Sequence, residues 1–139
     1  DIAVPLKNLV PLMAFVQELE KDCGLPIATF GHAADGNLHV NIIYHRKVPE
    51  ERKQAFAAVE SLLKEVVRLG GAISGEHGIG LAKSPFLRLQ FSEAEIQAMQ
   101  RIKCALDPKG ILNPGKIFQE TRLWEYDPVD YTFPWDQKG

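Results

Sequence analysis

Two amphipathic stretches of helical period, set among short segments of alternating period, constrain this chain more than any other feature. From Asn8 to Gly24 the apolar positions are Leu9, Leu12, Met13, Val16 and Leu19, the spacing of one helix face. Asn8 can cap that helix, Pro11 is tolerable in its first turn, and Gly24 supplies the stop. Pro49 opens a second stretch, with Ala55, Phe56, Val59, Leu62, Leu63 and Val66 on one side and Gly70 at its end. Around them, Asp1–Pro5, Pro26–Ala33, Asn37–His45 and Ala72–Glu76 read as strands, and Asp35-Gly36 is a strong hairpin dipeptide.

The order β-α-β-β-α-β predicts a ferredoxin-like α+β fold, with helices on one face of an antiparallel sheet. A third helix follows. Ser92 and Glu95 form a capping box, Phe91 and Ile96 a staple, and Ile96, Met99, Ile102 and Leu106 are expected to face inward until Asp107-Pro108 ends the helix. Pro108-Lys-Gly110 and Asn113-Pro-Gly115 read as turns. Residues 119–139 hold both tryptophans and read as an extended aromatic tail that docks on a surface.

A chain of 139 residues makes one domain with a real core. Its net charge of −2 offers no field for a nucleic-acid backbone or an anionic membrane, and no apolar run approaches the ~20 residues of a membrane span. Cys23 and Cys104 are far apart and fit reduced thiols in a cytoplasmic protein better than a disulfide.

Three of the four histidines sit in two glycine-containing segments, Gly31–His39 and Ser74–Gly80. If Asp35-Gly36 is a two-residue type I′ turn, Ala34 pairs with Asn37, Ala33 with Leu38 and His32 with His39. The two imidazoles then share a face with Phe30 and Asn41, while Gly31, Ala33, Leu38, Val40 and Ile42 turn to the helices. Two neutral imidazoles so placed can share a metal ion, with Glu76 as an anionic third ligand and open positions left for substrate. His77, next in sequence but directed elsewhere, is free to act as an acid or base. A histidine pair across a hairpin is by itself more often a hydrogen-bonded surface pair, so spacing alone leaves metal binding open. Other sites fail on their residues: Gly75, Gly78 and Gly80 run GxxGxG rather than GxGxxG, Lys83-Ser84 lacks the glycines of a phosphate loop, and Ala72–Glu76 is no nucleophile elbow.

Taken together, Gly31-His-Ala-Ala-Asp-Gly-Asn-Leu-His-Val-Asn41, Ser74-Gly-Glu-His-Gly-Ile-Gly80 and Asp107-Pro-Lys-Gly-Ile-Leu-Asn-Pro-Gly-Lys-Ile-Phe118 resemble, in the same order, the C-terminal domain of FAD-linked oxidases. That group includes glycolate oxidase FAD subunits, D-lactate dehydrogenases and D-2-hydroxyglutarate dehydrogenases. The resemblance covers residues 1–118 and leaves 119–139 outside it. It implies half of a ferredoxin-like cap over a flavin held by another domain. It further implies that His32, His39 and Glu76 bind a divalent metal, zinc among the candidates, that His77 is catalytic and that Asn41 contacts substrate. Asn37 and Asn113 fall on the cofactor side, Asn113 within the segment that returns to the flavin domain. Ala34 departs from the usual Gly, which is tolerable if its φ stays negative.

The expectation is therefore a C-terminal fragment of an FAD-dependent 2-hydroxy-acid dehydrogenase. Alone, it neither retains FAD nor oxidises an acid. The implied partners are the flavin domain, further oxidase subunits or a second copy, and the implied location is cytoplasmic, peripheral to the membrane through those subunits. Two rivals stay open on the residues: a non-catalytic ferredoxin-like module that binds a partner chain, and a small metal-dependent hydrolase.

Overall fold

The computed structural model describes residues 1–120, and over that length the chain is an α+β unit with one three-stranded antiparallel sheet. Strand β1 is short, Ile2–Ala3. Helix α1 spans Leu9–Cys23, strands β2 and β3 span Ile27–His32 and Asn37–Ile42, and helix α2 spans Pro49–Arg68. A single helical turn, α3 (Leu87–Gln90), precedes α4 (Glu93–Leu106). The sheet order is β1-β3-β2. The aromatic-tail expectation lies outside the described residues beyond Glu120.

The core follows from the two helical stretches. Leu12, Val16 and Leu19 of α1 and Ala58, Leu62, Leu63 and Val66 of α2 pack with Ile2, Val4, Leu38 and Ile73, and Leu12 and Val66 are wholly removed from solvent. Ile27, Val40 and Ile42 join them from the helix-facing side of the sheet. Burying a Leu or Val side chain contributes about 1.5–3 kcal/mol, so this layer dominates the stability of the unit. The opposite face is open, and Phe30 on it is 58% exposed. Gly24, in the left-handed conformation at φ 67°, ends α1 as expected. Asn8 does not cap it. Its amide instead donates to the Leu69 carbonyl at 2.7 Å and ties the start of α1 to the end of α2.

The hairpin differs from expectation by two residues. His32 pairs with Asn37, Gly31 with Leu38 and Phe30 with His39, because the loop holds four residues rather than two. Ala33–Asp35 form a turn of 3-10 helix, and Gly36 closes it at φ 70°, donating to the Ala33 carbonyl at 3.2 Å. The loop is longer because β1 takes hold of it: Val4 N–H donates to the Gly36 carbonyl at 2.9 Å. A Cβ at Gly36 would lie 2.1 Å from the Val4 carbonyl oxygen, so only glycine fits. Ala34 sits within the 3-10 turn and keeps a negative φ, so its departure from Gly is harmless.

The fourth strand shrinks to one antiparallel bridge between Ala3 and Ala72. With β1 only two residues long, little edge remains for it to follow. The segment after Ile73 turns over the start of β1 instead. Ile102 and Leu106 also depart from expectation: they are 62% and 79% exposed, and Ile96 is the fully buried residue of α4. No helix among the described residues is long and apolar enough to cross a membrane.

Candidate active site

On the open face of the sheet, an even displacement in register leaves the strand side chains where alternation put them; Ala33, expected to turn to the helices, is instead exposed in the 3-10 turn beyond the end of β2. His32, Phe30 and Ala28 of β2 and Asn37, His39 and Asn41 of β3 therefore still share one side. His32 and His39 are diagonal neighbours rather than directly opposed, with ring centroids 6.2 Å apart at 80°. Phe30, the true partner of His39, packs its ring 5.2 Å away.

Residues 74–77 cover this face from the β1 edge. Glu76 Oε1 comes within 3.4 Å of His39 Nε2, and His77 Nε2 lies 3.8 Å from the same oxygen. The His77 ring stacks on that of His39, centroids 5.0 Å apart and planes within 15°. His77 is thus not directed elsewhere. It joins the group, because the turn after Ile73 brings both Glu76 and His77 inward. The side chain of His39 is 15% exposed, whereas those of Glu76 and His77 are about half open to solvent.

A carboxylate that the sequence reading passed over organises the turn. Asp1 Oδ1 accepts from Glu76 N–H at 2.9 Å. Asp1 Oδ2 accepts from Ser74 Oγ at 2.8 Å, Gly75 N–H at 3.1 Å and His77 N–H at 3.2 Å. Lys83 Nζ donates to Oδ2 at 3.0 Å and also to the Asp1 carbonyl. Burial pushes the Lys83 ammonium down to about 8. Gly75 has a steric reason too: a Cβ there would lie 2.2 Å from Asn37 Oδ1. That oxygen is buried beneath the turn with no donor among the described residues.

The structure therefore brings together Asp1, His39, Glu76 and His77, each offering a ligand atom within 4.8 Å of the others. His32 is beside this group but outside it. Asn41 is exposed two residues along the same face, and Asn37 lies under Gly75. Asn113 is apart from the cluster, at φ 46° in an exposed turn of the C-terminal segment. That segment is pinned to the 74–80 loop by Ile117 N–H donating to the Gly80 carbonyl at 2.9 Å. No local pattern announces Asp1. Its role depends on a turn more than seventy residues away.

Imidazole and carboxylate atoms 3.4 Å apart have the spacing of two ligands each about 2.1 Å from one tetrahedral ion, so the donor set suits a divalent metal. Residues 1–117 match the family model described as FAD linked oxidases, C-terminal domain. The chain belongs to this family. It is 36% identical over 118 residues to the glycolate oxidase subunit GlcD of Bacillus subtilis, covering 85% of this chain and 25% of that protein. It is 40% identical over 131 residues to a mitochondrial D-lactate dehydrogenase [cytochrome] of Kluyveromyces lactis, covering 94% and 21%. Against a D-2-hydroxyglutarate dehydrogenase of Stutzerimonas stutzeri it is 38% identical over 125 residues, covering 85% and 26%. The chain thus spans roughly a quarter of the length of the curated relatives it matches.

Proposed function

We propose that this chain is the C-terminal part of an FAD-dependent dehydrogenase or oxidase of small 2-hydroxy acids, of the glycolate, D-lactate or D-2-hydroxyglutarate type. The observation that carries the reading is the convergence of His39, Glu76 and His77 on an open sheet face, in a chain of this family.

In this reading His39 and Glu76 hold a divalent ion, with His32 closing the set from its diagonal position. His77 Nε2 takes the proton of the substrate hydroxyl, and stacking on His39 fixes the plane of its ring. Asn41, exposed along the same face, offers an amide to the substrate carboxylate or hydroxyl. When bound, FAD accepts the hydride and the metal ion acidifies the hydroxyl. Asn37 and Asn113 lie toward the cofactor. The Ala3–Ala72 bridge supports a ferredoxin-like half-cap whose fourth strand has been cut short. The exposed residues Ile102, Leu106, Ile111 and Leu112 support a flavin domain packed against α4 and the segment after it. The free thiols of Cys23 and Cys104 fit a reducing, cytoplasmic setting.

The test uses the parent enzyme, assayed by dye reduction with glycolate, D-lactate and D-2-hydroxyglutarate beside elemental analysis. The expected result is turnover of one acid, a fall in kcat of at least ~10²-fold in His77→Ala, and loss of the metal in His39→Ala. Turnover and metal content both unchanged in these variants would overturn the assignment. The 139-residue chain alone is expected to retain no stoichiometric flavin.

A further inference from the structure

We infer that Asp1 and Lys83 are positioning residues, whose part-buried ion pair shapes the 74–77 turn and so sets Glu76 and His77 against His39. This rests on the functional reading above for its consequence, but its geometry stands independently.

Three consecutive backbone N–H groups, of Gly75, Glu76 and His77, converge on one carboxylate. Such a nest normally receives an anion from outside. Here the chain supplies its own, on a side chain only 3% exposed. A buried carboxylate is costly unless every lone pair has a donor, and Asp1 meets that demand with the three amides, the Ser74 hydroxyl and the Lys83 ammonium. Ser74 relays the constraint further, its Oγ accepting from Gly78 N–H at 2.8 Å. The turn itself belongs to no helix or ladder, and its side chains are largely open to water. The Asp1 carboxylate is accordingly the principal bond that fixes where residues 75–77 lie. Lys83 Nζ holds Asp1 at two points, donating to its carboxylate and to its backbone carbonyl. Neither residue touches substrate in this scheme. They act through Glu76 and His77, as outer partners orient the ligands of a metal site.

The experiment compares Asp1→Asn and Lys83→Met with the unaltered 139-residue chain by residue-resolved amide exchange and by calorimetric titration with zinc chloride. Asparagine places an NH₂ among donors, while methionine keeps the apolar stem of Lys83 without its charge. In Asp1→Asn, exchange at Gly75, Glu76 and His77 is expected to accelerate about tenfold or more while α1 and α2 are unaffected. Zinc affinity is expected to fall 10–100-fold. Lys83→Met moves both readouts the same way by less, and decides the matter if Asp1→Asn does not fold. Unchanged exchange at residues 75–77, or acceleration spread evenly over the whole chain, overturns the positioning role. Failure of the unaltered chain to take up zinc counts against the metal reading alone, and the exchange data still decide this one.

Discussion

Helices α1 and α4 carry the same kind of apolar stripe and meet opposite fates. In α1 the stripe closes on the chain's own sheet and on α2, leaving Leu12 wholly buried and Val16 at 3% exposure. In α4 Ile96 is 1% exposed, but Ile102 and Leu106 point outward, and Ile111 and Leu112 extend the apolar surface just beyond. Helical period shows that a face is destined to be covered. It does not show what covers it, and that difference separates the part of the fold that is self-sufficient from the part that faces a neighbour.

The comparison can be broken at several points. Leu12→Ala is expected to cost about 3–5 kcal/mol in urea unfolding, because the emptied site lies between two helices and a sheet that cannot collapse into it. Gly36→Ala is expected to cost about 2–3 kcal/mol, combining an unfavourable φ with a clash against the Val4 carbonyl. Ser92→Ala removes the hydroxyl that accepts from Glu95 N–H, and is expected to cost about 1 kcal/mol, felt mainly in α4.

Acid sharpens the contrast. Both ends of α4 are held by carboxylates. The Lys103 ammonium, with the N–H groups of Leu112 and Ile111, holds the Asp107 carboxyl below its usual range, and the Ser92 hydroxyl and N–H do the same for Glu95. Groups whose folded pKa is depressed stabilise above the unfolded value of about 4 and lose that contribution as pH falls through the folded one. Amides of α4 should therefore loosen below pH 4 before those of α1, as exchange measured at pH 6 and pH 3 would reveal. Simultaneous loosening of both helices would remove the distinction. The smallest effect is expected from Leu106→Ala: within about 0.5 kcal/mol in this chain, since the side chain is already in water. A cost of 2 kcal/mol there would mean that α4 is covered after all.

What the sequence discloses follows the same line. Helices α1 and α2 and their buried faces are legible because the period of each is complete within one short stretch of chain. The face shared by His32, His39 and Asn41 is legible because alternation alone determines it. The hairpin register is not, since Asp35-Gly36 reads as a complete turn until Val4 grips the Gly36 carbonyl from a distant strand. Asp1 is illegible for the same reason: its donors are on residues 74–83. Glu76 and His77 were identifiable as chemistry, but their approach to His39 depends on that carboxylate. Features set by neighbours in sequence can be read from it, and those set by remote single contacts cannot.

The four-residue loop between His32 and Asn37 also carries a counting rule. With two residues in the loop or with four, both imidazoles stand on the open face. With three, Gly31 would pair with His39, and one imidazole would be driven toward Leu12 and Val66 while the other stayed outside. A slip of this hairpin by one residue would thus part the two imidazoles onto opposite faces, whereas a slip by two keeps the histidine face whole.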